Sequence, residues 1–177
     1  MSGLHHAIRS ILGAQMKKLF LILLFTVTAS ADPSESRIQE ISLKANGIVR
    51  ESMFDSIETT FDLTLPNPAA AFFLGNGKYN ISINKSIFYT LTSAAQNFIG
   101  FHELGHIYLG HTEMDPSLKN RYELELEADT FAAFLYMKFG EKNQDFYDFI
   151  NIIEAKKQTT PPGDVRAKLI RKIVIKD

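Results

Sequence analysis

The chain has 177 residues, 45% of them hydrophobic, with 19 basic against 20 acidic side chains and a formal net charge of -1. Its length and apolar content suffice for one globular domain with a buried core, and the near-neutral balance argues against nucleic acid as a partner. It has no cysteine, which excludes disulfides and thiolate metal sites and leaves His, Asp and Glu to hold any metal.

The N-terminal segment reads as a leader rather than as part of the fold. Met16, Lys17 and Lys18 precede an apolar run from Leu19 to Val27, and Ala29-Ser30-Ala31 follows before Asp32-Pro33. That is the layout of a secretory signal peptide with an A-x-A cleavage site. The expected organisation is an upstream extension over 1–15, a signal peptide over 16–31 and a domain over 32–177, exported to the periplasm or secreted. The apolar run is too short for a convincing membrane span, so membrane contact is expected only through this segment if it stays uncleaved.

Residues 34–60 predict a helix, because Ile38, Ile41, Ala45, Ile48 and Phe54 recur mostly at three- and four-residue spacing. Pro66 and Pro68 end it. The short apolar run Ala70–Leu74, the turn Gly75-Asn76-Gly77 and the alternation of Tyr79, Ile81 and Ile83 with Asn80, Ser82 and Asn84 predict a β-hairpin. Its second strand is expected to be half buried, with the polar residues on a wet face. Ser86–Leu109 reads as a buried helix stopped by Gly110. Residues 112–122 read as a loop, 123–139 as a second long helix ending at Gly140, and 143–157 as a third. Thr159–Gly163 breaks the chain before a final short helix or strand.

The buried helix carries His102-Glu103-Leu104-Gly105-His106, an H-E-x-x-H motif. Positions i and i+4 share one helix face, so both imidazoles can reach one ion. Zinc takes such nitrogen ligands at about 2.0–2.1 Å. Glu103, about 100° round the helix, flanks that face, where it can take a proton from a metal-activated water and hand it to a leaving amine. Two imidazoles in so apolar a helix are costly without a partner. His111 lies nine positions after His102, about 900° of helix and hence on the far side, an argument that weakens if the helix ends at Gly110; it reads as a plain surface histidine or one with a helix-end or substrate-side role, rather than a ligand.

A catalytic zinc usually takes three protein ligands. Without cysteine or another well-placed histidine, the third is expected to be a carboxylate from the next helix. Glu125 and Asp129 share a face bordering the apolar stripe Leu124, Ala128, Phe131 and Leu135. Glu125 then suits the metal, and Asp129 suits the far ring nitrogen of a ligating histidine. Glu123 and Glu127 share another face and read as a solvated helix start. Tyr108, Tyr122 and Tyr136 are candidates by type for stabilising an oxyanion.

H-E-x-x-H followed by Glu-x-x-x-Asp on a second helix resembles the gluzincin pattern of thermolysin and the HtpX-like peptidases. "HELGHIYLGH" with "ELEADTFAAFLY" is most similar to the ImmA/IrrE group, in which a strand like "NISINKS" precedes the zinc helix. The resemblance covers roughly residues 70–137. It implies that His102, His106 and Glu125 bind zinc, that Glu103 is the general base and that Asp129 supports a ligand. ImmA/IrrE proteins are usually cytoplasmic, whereas this chain carries a leader pattern. The tail "TTPPGDVRAKLI" resembles instead the T-H-P-x-x-x-x-R tail of HtpX-like peptidases, with Thr160 in place of their histidine. That tail implies a substrate or oxyanion contact for Arg166. The same resemblance suggests that the strand at 79–84 is an edge strand on which a peptide substrate lies extended.

The sequence therefore predicts a small α+β zincin-like domain, with a hairpin or sheet beside a zinc helix and a second ligand-bearing helix. The expected function is an exported Zn2+ metallopeptidase acting on peptides or proteins. Its rival is a zinc-dependent binding or immunity-type protein with little turnover.

Overall fold

A computed structural model describes residues 33–49, 57–115, 120–139 and 144–175. The expected extension, signal peptide and cleavage site, together with Gly140, lie outside them. Among the described residues are six helices and one three-stranded sheet, so the domain is α+β as expected. No helix among them is long and apolar enough to cross a membrane.

Helix α1 (Pro33–Val49) buries Ile38, Ile41 and Ala45, the residues that gave the helical period. The predicted helix does not continue to residue 60. Glu58–Phe61 is instead strand β1, paired in parallel with β3 (Lys78–Ile83). Its β-branched and aromatic residues Thr59, Thr60 and Phe61 favour that state once a partner is present.

The hairpin forms as expected: β2 (Ala69–Gly75) runs antiparallel to β3 through a turn at Asn76 and Gly77, with φ of 53° and 68°. The sheet order is β1-β3-β2, so β3 is central, and its polar residues Asn80 and Ser82 are buried, as is Asn84 just beyond it. This corrects both the wet face and the edge position expected there. The buried amides have partners. Asn80 Nδ2 donates to Thr60 Oγ1 at 2.8 Å. Asn84 Nδ2 donates to the carbonyls of Leu63 and Leu65, and its Oδ1 caps the one-turn helix α2 (Lys85–Phe88). The edges of the described sheet are β1 and β2.

Helix α3 (Ser93–Tyr108) starts at Thr92, whose hydroxyl accepts from the Ala95 N–H. It is the centre of the core. Phe98 meets Tyr136 of α4 (Arg121–Phe139) and Phe146 and Phe149 of α5 (Gln144–Ala155). The chain's last segment resolves as a helix, α6 (Gly163–Val174), which packs on α4 and α5 through Ala167, Ile170 and Val174.

Gly105, inside the H-E-x-x-H stretch, sets how closely α3 and α4 approach. A Cβ there would lie 3.3 Å from the Ala128 backbone and 3.1 Å from the Phe131 ring. Backbone cannot give way as a flexible side chain can, and overpacking costs about 1–3 kcal/mol. Gly105→Leu should lower the unfolding free energy by about that amount, which a denaturant titration beside wild type will measure.

Candidate metal centre

His102 and His106 stand one turn apart on α3, with their Nε2 atoms 3.2 Å apart and ring centroids separated by 4.8 Å. From α4, Glu125 brings one carboxylate oxygen to 3.3 Å from His102 Nε2 and the other to 4.0 Å from His106 Nε2. These three side chains offer donor atoms that all lie within 4.8 Å of one another, the arrangement needed to hold one metal ion. The structure also brings in Glu103 and Asp129, and each has a distinct tether.

Asp129 is 0% exposed. Its Oδ1 lies 2.9 Å from His102 Nδ1. Arg166 of α6 grips the same carboxylate twice, donating from Nε at 2.6 Å and from Nη2 at 2.7 Å. Burial works against the Asp129 anion, but Arg166 and His102 outweigh it and hold its pKa below the ordinary carboxylate range. Arg166 lines the cavity, yet two of its nitrogens are engaged by Asp129. It stands as the anchor of an anchor.

Glu103 is 8% exposed, and its Oε2 accepts from the Ala71 N–H of β2 at 2.9 Å. Burial raises its carboxyl pKa despite the nearby His102. The two histidines diverge. Burial lowers both, but bonds to Asp129 and Glu125 overcome it at His102 and raise that ring, while His106, beside it, is driven down. Carboxylates thus surround the imidazoles on a site electrostatically suited to positive charge.

A Peptidase U49 family model matches residues 28–158. The chain belongs to the Peptidase U49 family. Membership places it among the peptidases. No curated protein and no solved structure matches it. In this U49 peptidase the matched span contains His102, Glu103, His106, Glu125 and Asp129, whereas Arg166 lies beyond it.

A cavity of about 400 Å³ opens over the cluster, walled by Ala69–Ala71 of β2 on one side and by Phe98, Ile99, Phe149 and Ile153 on another. Tyr108 does not line it; that ring stacks on Phe131 at 5.0 Å between centroids. Tyr136 is buried against Phe146 at 3.9 Å. Neither tyrosine is brought to the cluster, nor is Tyr122 among the lining residues. Arg121, unnoticed in the sequence, does line the cavity, 3.9 Å from Glu125.

His111 departs most from expectation. It is 8% exposed, lines the cavity, and is neither a surface residue nor on the far side. The helix ends at Tyr108, and Gly110 takes φ of +71°. The His111 N–H then bonds the His106 carbonyl at 2.9 Å and the Gly110 N–H bonds the Ile107 carbonyl at 3.0 Å. This is the Schellman pattern, and it folds His111 back over His106. Glu127, expected to be solvated, bonds His111 at 3.0 Å.

Two measurements check this framework. Arg166→Met strands the buried Asp129 charge and should cost about 3–5 kcal/mol of unfolding free energy, read by denaturant titration. Gly110→Val forces a β-branched residue into the left-handed region and should cost at least about 1–2 kcal/mol, although a Cβ there meets nothing within 4 Å.

Proposed function

We propose that this U49 peptidase is an exported zinc metallopeptidase of the gluzincin type, with His102, His106 and Glu125 as metal ligands and Glu103 as general base. The observation that carries the reading is the convergence of two Nε2 atoms and one carboxylate on one point, beside a second, buried carboxylate tethered to the sheet. The donor set fits the metal. Two acceptor-type nitrogens 3.2 Å apart need a proton or a cation between them, and two His with one Glu is a set that catalytic zinc uses.

Bound zinc supplies a Lewis acid that polarises a carbonyl and acidifies water. Glu103 takes the proton of the attacking water and later delivers it to the leaving amine; a carboxyl pKa raised by burial suits that exchange near neutral pH. Asp129 fixes the orientation of His102 and Arg166 fixes Asp129. The substrate lies along β2 rather than β3. Ala69 and Ala71 line the cavity, and a strand edge binds extended peptides through main-chain groups, here those beside the Ala71 N–H that Glu103 holds. The family match supports turnover over the binding role that the same ligands would also serve. Export rests on the A-x-A pattern at Ala29–Ala31.

Glu103→Gln should cut peptide hydrolysis about 10²–10⁴-fold while retaining a full complement of zinc, measured by elemental analysis beside a cleavage assay. Glu125→Ala should lose zinc, and Glu123→Ala, on an exposed part of the same helix, should keep it. Wild-type protein that purifies gently without zinc would sink the reading. N-terminal sequencing of the exported protein should begin at Asp32.

A further inference from the structure

The bond network does not stop at the three candidate ligands. His111 Nδ1 lies 3.1 Å from His106 Nδ1, and His111 Nε2 lies 3.0 Å from Glu127 Oε2. The two rings meet nearly edge to face, with centroids 5.2 Å apart. The His111 side chain is almost wholly buried, whereas that of Glu127 is 45% exposed. The chain of contacts therefore runs from the solvent-facing side of α4, through His111, to the back of His106.

Hydrogen-bond chemistry orders that chain. A carboxylate accepts, so His111 donates to Glu127 from Nε2. A neutral imidazole carries one proton, so His111 Nδ1 is left as an acceptor. A donor satisfies it, and His106 Nδ1 stands 3.1 Å away. With its proton there, His106 turns an unprotonated Nε2 toward His102 and Glu125. Asp129 stands in the same relation to His102: its Oδ1 lies 2.9 Å from Nδ1, which favours the proton there and leaves Nε2 facing inward. A ligating histidine generally hands its second N–H to such a partner, which fixes its tautomer.

We propose that His111 is a positioning residue for the metal centre: backed by Glu127, it locks His106 in the Nδ1–H tautomer and so presents Nε2 to the metal. This rests on His106 being a ligand, but the tautomer itself is a property of the metal-free protein. Gly110 is what makes the device possible, because its left-handed backbone returns the chain over the turn it has just left.

The test reads the tautomer before it reads function. In metal-free, 15N-labelled full-length protein above neutral pH, two-bond 15N–1H correlation spectra distinguish a protonated from an unprotonated ring nitrogen. Wild-type His106 should show a protonated Nδ1 and an unprotonated Nε2. His111→Leu removes the acceptor, so His106 should lose that pattern, and zinc affinity measured by competition with a chelator should fall about 10–100-fold. His111→Asn places an amide oxygen where Nδ1 was and should restore both the tautomer and most of the affinity. A purely structural role would make the Leu and Asn variants alike. Wild-type His106 protonated at Nε2, or an unchanged pattern in folded His111→Leu, overturns the proposal; the wild-type reading alone decides it if the variants do not fold. If zinc fails to bind wild type while the Nδ1–H pattern and its dependence on His111 hold, the metal reading falls and the tautomer lock stands.

Discussion

A carboxylate shielded from water sits where three helices meet. Asp129 belongs to α4, holds a histidine of α3 and is held by an arginine of α6. A buried charge without partners costs several kcal/mol, so the three helices are bound to one arrangement by the need to satisfy it. Much of the rest follows. α4 must lie close enough for Asp129 to reach His102, an approach that the missing side chain of Gly105 eases. With Asp129 fixed, Glu125 one turn earlier faces the same imidazoles. α6 must return to α4 for Arg166 to arrive, and the break before Gly163 lets it do so.

The cluster is layered outward. Its inner layer is two nitrogens and a carboxylate, and around it stand groups that hold those side chains directly or through one another. Asp129 and Arg166 stand behind His102. His111 and Glu127 stand behind His106. A backbone N–H stands behind Glu103. Each inner side chain would otherwise choose between rotamers or tautomers, and every outer contact removes one such choice. The cost of that order is met when the domain folds, not when a ligand arrives.

The long-period parts of the fold were legible in the sequence, and the short or non-local parts were not. Helices α3 and α4 announce themselves because one face of each is apolar over several turns, and i, i+4 geometry then places His102 with His106 and Glu125 with Asp129. Strand β1 is four residues long and pairs with a segment some twenty residues away, so a helical period running up to it masked it. Alternation in β3 was read as one wet face. Polar atoms are equally at home inside if Thr60 and two carbonyls answer them, and those partners lie in another part of the chain. His111 was misplaced by a correct phase rule applied beyond the helix end. Gly110 was read as a stop, but a stop in the left-handed region is also a reversal of direction. Arg166 drew notice through a resemblance, and only the packing of α6 shows what its nitrogens touch.

The bond from the Ala71 N–H to Glu103 has a consequence in terms of parity. Along β2 the amides point alternately toward β3 and away from it. Ala71 is one that points away, and its neighbours Ala70 and Phe72 face Ser82 and Asn80 across the ladder. A slip of the hairpin by one residue would turn the Ala71 amide inward and send every β2 side chain to the opposite face. Glu103 would then meet the amide of a different residue, and the side chains beside it would be exchanged. The count of residues around the turn at Asn76 and Gly77 is in this sense part of what builds the cluster.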